Sequence, residues 1–231
     1  MQYRLILFIK FKGGVRMDDT LLAVLLIGVA GLTMLVYRLG RRRIVRLAGV
    51  FSRELELGFT PEETEYTNIG GLIGYHALYR YTSPPVEKIQ ITFTFLPRHS
   101  LFFYPLSRLV LCHDRMFITL FAAAPFQGEG HLMERSLEHS PRHAVANAAQ
   151  LHRSTLQYAG KEYLIFSADA GISDFLISIV KMFPEGMPRH LALYPGNSSF
   201  YIFLNPGKGG LAEPASGLLT QFRDYLIRGK A

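Results

Sequence analysis

The 231-residue sequence contains one cysteine, Cys112, which excludes a disulfide scaffold because a bridge needs two. Charged residues are scarce at 19%, while hydrophobic residues reach 49%. That balance excludes intrinsic disorder, which requires low hydrophobicity and high net charge. HExxH and paired cysteines are both missing, so neither common zinc signature is present. The glycine-rich stretch Asn205-Pro206-Gly207-Lys208-Gly209-Gly210 is no phosphate loop, because Ser or Thr does not follow Lys208. Gly70, Gly71 and Gly74 do not fit the GxGxxG spacing either. No metal and no cofactor are expected.

The formal charge is +7, which on its own would invite a nucleic-acid reading. Its distribution argues otherwise. Residues 1–46 hold nine basic and two acidic residues, the whole excess, and residues 47–231 are balanced at sixteen of each. A nucleic-acid-binding domain carries its basic surface within the fold. Here the positive charge flanks one apolar run, so no nucleic-acid partner is expected.

That run is Thr20–Tyr37, 18 residues without a charge. As a helix it spans about 27 Å, against roughly 30 Å of bilayer hydrocarbon. Its six Leu, three Val and one Ile contribute on the order of −3 to −6 kcal/mol to insertion. A signal-peptide apolar core is shorter and ends at a small-residue cleavage site. This one ends in Tyr37-Arg38-Leu39-Gly40-Arg41-Arg42-Arg43, which suits an anchor that stays. Arg38, Arg41, Arg42, Arg43 and Arg46 read as membrane-surface residues that meet anionic headgroups of the lipid bilayer. By the positive-inside rule the bulk of the chain is cytoplasmic. Lys12-Gly13-Gly14-Val15-Arg16, just before Met17, resembles a translated ribosome-binding site. Residues 1–16 are therefore expected to be a mis-annotated or disordered extension. Residues 17–43 form the anchor and 44–231 the soluble domain. Asn197-Ser198-Ser199 matches a glycosylation sequon, but it follows a turn at Pro195-Gly196 and is read as a chance match.

Beyond the anchor the helix is expected to continue out of the membrane over Ile44–Leu57, where Leu47, Val50, Phe51 and Leu55 recur at helical spacing, and Gly58 stops it. Thr60-Pro61-Glu62-Glu63 reads as a capping box opening a short helical turn. Strands are expected over Leu72–Thr82, Lys88–Leu96, Leu101–Leu111 and Arg115–Ala122. In the second of these, Ile89, Ile91, Phe93 and Phe95 face one way and Gln90, Thr92 and Thr94 the other, as in a half-buried antiparallel sheet. Pro105 suggests a bulge or edge in the third. Ser140-Pro141 is expected to open a helix through His152. Two hairpins follow, Thr155–Ala159 with Glu162–Ala168, and Arg189–Tyr194 with Ser199–Leu204. A helix over 174–183 is capped by Ser173, and Pro214 opens a last helix. The fold class is α+β: a single N-terminal transmembrane helix followed by a mainly antiparallel-sheet domain packed with helices.

His139 and His143 are spaced i, i+4, but Pro141 between them keeps them off one helix face. Cys112-His113-Asp114 holds the residue types of a nucleophilic triad, yet consecutive side chains point apart. Arg98-His99-Ser100, between two strong strands, is the better candidate for binding an anion or carboxylate, with His76 from a neighbouring strand. His152-Arg153-Ser154 repeats that composition. Tyr75, Tyr79 and Tyr81 share a strand face. Phe102, Phe103 and Tyr104 put aromatics on both faces of a strand. Such a surplus could line an apolar groove for a peptide or lipid.

The resulting expectation is a single-pass membrane-anchored protein. Its neutral cytoplasmic domain binds an unidentified protein partner at the membrane without catalysis. The alternatives are a membrane-proximal enzyme or small-ligand-binding domain using Arg98 and His99, and an accessory subunit of a larger membrane complex.

Overall fold

The computed structural model describes residues 19–125 and 128–228. The proposed extension, residues 1–16, lies outside the described residues. The described residues open with one unbroken helix, α1 (Asp19–Phe59), of 41 residues. At 1.5 Å per residue it is about 62 Å long. Its two halves differ in kind. The most apolar 18-residue window has a mean hydropathy of 2.3 and none of it is buried. By length and composition this helix is apolar enough to cross a membrane. From Gly40 onward one stripe sinks into the fold, through Ile44, Phe51, Leu55 and Phe59. That is the three- and four-residue periodicity of a helix with a single core face.

The described strands form one antiparallel sheet of nine: β1 (Glu63–Asn68), β2 (Gly74–Arg80), β3 (Val86–Thr94), β4 (Arg115–Ala122), β5 (Gly130–Glu134), β6 (His152–Tyr158), β7 (Lys161–Ser167), β8 (Pro188–Tyr194) and β9 (Ser199–Leu204). Their order is β1-β2-β3-β4-β9-β8-β5-β7-β6. The β4–β9 ladder, Ile118 opposite Ile202, joins an N-terminal meander to a C-terminal half. The described residues include three further α-helices: α2 (Phe103–Leu111), α3 (Ala170–Met182) and α4 (Ala212–Arg228).

One sheet face makes the main core. Ile89, Ile91 and Phe93 of β3, Met116, Ile118 and Leu120 of β4, and Phe200, Ile202 and Leu204 of β9 alternate inward against α1, α3 and α4. Phe51 of α1 stacks on Phe95 at 6.1 Å and tilts against Phe93 at 6.2 Å. The end of α1 is tied down by polar contacts as well. Tyr66 donates to Glu56 at 2.7 Å, Tyr81 donates to the Phe59 carbonyl at 2.8 Å, and the Leu211 amide donates to Glu54 at 2.9 Å. On the opposite face, a small cluster of Met133, Leu164 and Phe166 is covered by Val145, Ala148 and Leu151.

Several elements differ from the sequence expectation. Leu101–Leu111 is not a strand: residues 103–111 are helical. Ser100 accepts the Phe103 amide at 3.3 Å. Pro105 falls in the first turn, where a missing N–H costs nothing. Thr60-Pro61-Glu62-Glu63 opens no helix. Glu62 turns to Thr82, accepting its amide at 3.1 Å and its hydroxyl, and Glu63 begins edge strand β1. The helix expected from Pro141 to His152 is a single 3-10 turn, Pro141–His143, followed by a 3-10 turn at Ala148–Gln150. Asp169, not Ser173, caps α3, accepting the Ile172 amide at 2.9 Å. Ser173 instead meets the Ser167 hydroxyl at 2.7 Å. β5 was not foreseen. The strand at Lys88–Leu96 and both C-terminal hairpins lie where the periodicity put them.

Gly40 marks the change of environment along α1. A Cβ there would collide with the backbone carbonyl of Arg98, so α1 and the loop after β3 touch backbone to backbone. Gly40→Leu is expected to cost about 1–3 kcal/mol by overpacking. The thermal midpoint of the detergent-solubilised chain should fall by several degrees. Gly31→Leu, at a position with open space around it, should leave that midpoint unchanged.

Candidate functional site

The loop between β3 and α2 carries the residues singled out for anion binding. The structure gives each a different partner. Arg98 forms a two-pronged ion pair with Asp114, both N–O distances 2.7 Å. Asp114 also accepts the Leu96 amide at 2.8 Å. The pair is largely buried, the side chains 12% and 6% exposed. His99 turns the other way and meets Tyr37 of α1 edge-on, ring centroids 6.0 Å apart. His76 stands across from Thr92, with Nδ1 and Oγ1 3.0 Å apart. Arg98 lines a cavity of about 490 Å³ beside Cys112, Asp114 and Glu185. His99 lines a separate groove of about 830 Å³, and His76 lines neither. Successive loop residues point apart, so the composition of the triplet was visible in the sequence but its divergence was not.

The other sequence candidates are also accounted for. Cys112 and His113 are exposed while Asp114 is drawn in to Arg98, so the triplet does not converge. Arg153 pairs with Glu138 at 2.7 Å and lies over the Phe166 ring. The Lys208 loop packs on α1. A Cβ on Gly209 would meet the Glu54 carboxylate at 2.8 Å, so the loop lies closely against an acidic side chain. Arg38, Arg41, Arg42, Arg43 and Arg46 are all exposed on α1, just past the apolar window.

A second constellation escaped the sequence reading. On the sheet face away from the helices, His131 of β5 stacks on His190 of β8, ring centroids 5.7 Å apart. His190 in turn meets His143, Nδ1 to Nδ1, at 3.1 Å. His131 donates from Nε2 to Glu129 at 2.9 Å, and Asn147 donates to the other Glu129 oxygen at 2.9 Å. Burial, reinforced by repulsion from His131 and His143, pushes the His190 pKa down to about 3. Burial also lowers the His131 pKa, against the opposing pull of Glu129. Burial alone would raise the Glu129 pKa, but the bonds from Asn147 and His131 outweigh it and hold the carboxyl below its ordinary value. The row continues into aromatics: His143 stacks on Phe203 at 5.5 Å, and Phe203 on Phe117 at 5.1 Å. Phe117 and Tyr201 remain half-exposed. These residues come from segments up to 86 positions apart, Phe117 to Phe203, and only strand order brings them together. Among the described residues, no group of three or more His, Cys, Asp or Glu is placed to hold a metal ion.

The third feature is α2. Phe102, just before it, is 73% exposed, and within it Phe103 is 66%, Leu109 80% and Val110 73% exposed, while Leu106 is also open. Among the described residues, α2 buries none of its own. Its small or polar positions, Tyr104 and Ser107, face inward instead, so its amphipathicity is inverted. In water, each large apolar side chain left uncovered forgoes about 1.5–3 kcal/mol of transfer energy.

No family model matches the chain, and no curated protein matches it. Among solved structures it is similar to the mycobacterial trehalose monomycolate transport factor A, TtfA, at 10% identity and a TM-score of 0.39, over 75% of this chain and 93% of that one. A likeness that slight carries no functional argument.

Two measurements test these geometries. Asp114→Asn leaves Arg98 charged, largely buried and unpaired, and is expected to cost about 3–5 kcal/mol in chemical denaturation. If Arg98 were instead held for an anion, the variant would change stability by less than about 0.5 kcal/mol. The histidines give a pH signature. Native His190 stays neutral down to about pH 3, whereas an unfolded histidine takes a proton near 6.5. Below that pH the unfolded state binds more protons, so stability falls with pH. The stabilisation is complete above pH 6.5. It is lost toward pH 3 at up to about 1.4 kcal/mol per unit. Urea midpoints between pH 7 and pH 4 should show that slope, and His190→Gln should flatten it.

Proposed function

We propose that this chain is a single-pass membrane protein whose cytoplasmic domain, residues 44–231, binds a protein partner at the membrane surface without catalysis. Residues 17–43 are the anchor, and the exposed arginines from Arg38 to Arg46 lie among anionic headgroups. The observation that carries this reading is the single helix α1. One half is apolar and uncovered, and the other half is part of the domain core. An anchor joined through a flexible linker would let the domain roam. A continuous helix holds it at one height and orientation, which raises the effective concentration of a partner on the same surface. The spending of Arg98 on Asp114 supports a binding rather than an anion-processing role. The sheet face bearing half-exposed Phe117 and Tyr201 is the surface offered to the partner, since the other face is filled by helices.

The test has two parts. Protease added to intact spheroplasts should leave the domain whole, and protease added to inverted vesicles should digest it; the opposite pattern overturns the orientation. A photo-crosslinking amino acid at Phe117 or Tyr201 should give one discrete adduct in cells. The same residue at Thr155, on edge strand β6, should give none. Loss of the adduct from both face positions overturns the docking face.

A further inference from the structure

We infer that α2 is a second membrane element: a short interfacial helix whose exposed apolar face lies in the acyl-chain region of the leaflet that α1 leaves. The inference rests on the reading of α1 as membrane-spanning. It adds an interaction surface which that reading does not contain.

The argument starts from depth. Phe102, Phe103 and Ser107 line one groove together with Ala30, Met34 and Tyr37 of α1. Ala30 lies seven residues before Tyr37, so the groove reaches about 10 Å into the uncharged stretch along the helix axis. An interfacial helix buries its apolar face about 5–10 Å into the boundary between headgroups and acyl chains. If α1 spans, the beginning of α2 is already at hydrocarbon depth, and what faces it there is lipid.

The face fits that occupant. Phe102, Phe103, Leu106, Leu109 and Val110 fall on one side of the helix at three- and four-residue spacing, and all are exposed. Away from that side, exposed Arg108 donates to the Tyr104 hydroxyl at 3.2 Å, so the polar positions of the helix lie opposite its apolar face. Arg38 and Arg41 stand within about one turn of Tyr37 on α1, at the same level.

The height of α2 is also set from below. Its leading loop is gripped by the Arg98–Asp114 pair, by the edge contact of His99 with Tyr37, and by the backbone contact at Gly40. A protein partner could cover a similar stripe. Only a bilayer, however, is continuous with the uncovered half of α1 beside it.

The experiment uses the full chain in vesicles of phosphatidylcholine and phosphatidylglycerol. In a Cys112→Ser background, single cysteines replace Leu109, Leu26 or Thr155 and carry an environment-sensitive fluorophore. The Leu109 probe should lose most of its emission to lipids with a nitroxide near the acyl carbonyl and little to aqueous iodide. The Leu26 probe should respond to mid-chain nitroxides, and the Thr155 probe to iodide alone. A Leu109 probe that iodide quenches, with Leu26 still reporting lipid, overturns the role of α2 and leaves the anchor standing. A Leu109 probe shielded from both quenchers also overturns it, in favour of a covering protein or second copy. An iodide-quenched Leu26 probe overturns the membrane reading itself.

Discussion

The structure depends on one contact, the close approach of Gly40 to the backbone of Arg98. Without a side chain at residue 40, α1 can press against the loop that follows β3. No residue before that point on α1 is buried, and the core stripe begins four residues later at Ile44. The same loop places Arg98 on Asp114, His99 on Tyr37, and α2 alongside α1. One small residue thus couples the sheet, the rod and the inverted helix. In the proposed arrangement it also sets the domain's height above the bilayer.

Rigidity follows from how α1 ends. Phe51, Leu55 and Phe59 are buried among sheet residues, and Glu54, Glu56 and the Phe59 carbonyl are each held by a partner from another segment. Burial of these apolar side chains stabilises the contact, and the hydrogen bonds fix its register. A helix embedded in this way cannot pivot without opening the core. The domain therefore presents one fixed edge to whatever surrounds the uncovered half of α1, and a fixed sheet face on the far side.

Much of the fold was legible because it rests on local periodicity. The alternation of Ile89, Ile91 and Phe93 with Gln90, Thr92 and Thr94 requires a strand with one buried face. The turn at Gly160 and the turn from Pro195 to Ser198 require hairpins. Legibility failed where local signals conflict. Leu101–Leu111 is rich in aromatic residues and leucine yet is helical over residues 103–111, because Ser100 and Pro105 supply a helix start. Thr60–Glu63 has the letters of a capping box, but Glu62 finds Thr82 across the sheet instead. At the candidate sites the types were visible and the geometry was not. Arg98 and His99 are neighbours that face different cavities, while His131, His143 and His190 are distant and meet.

The sequence by itself determined the charge-free run of Thr20–Tyr37, the arginines that follow it, the neutrality of the remainder, the strand at Lys88–Leu96 and the two C-terminal hairpins. These follow from composition and from periods of a few residues, which need no knowledge of distant contacts. Only the tertiary structure decided that the loop after β3 presses on α1 at Gly40, that Arg98 is committed to Asp114, that His131, His190 and the half-buried His143 form a row, and that α2 turns its apolar side outward. Each of those depends on which segment lies across from which. Strand order and close backbone approach settle that, and no local pattern encodes it.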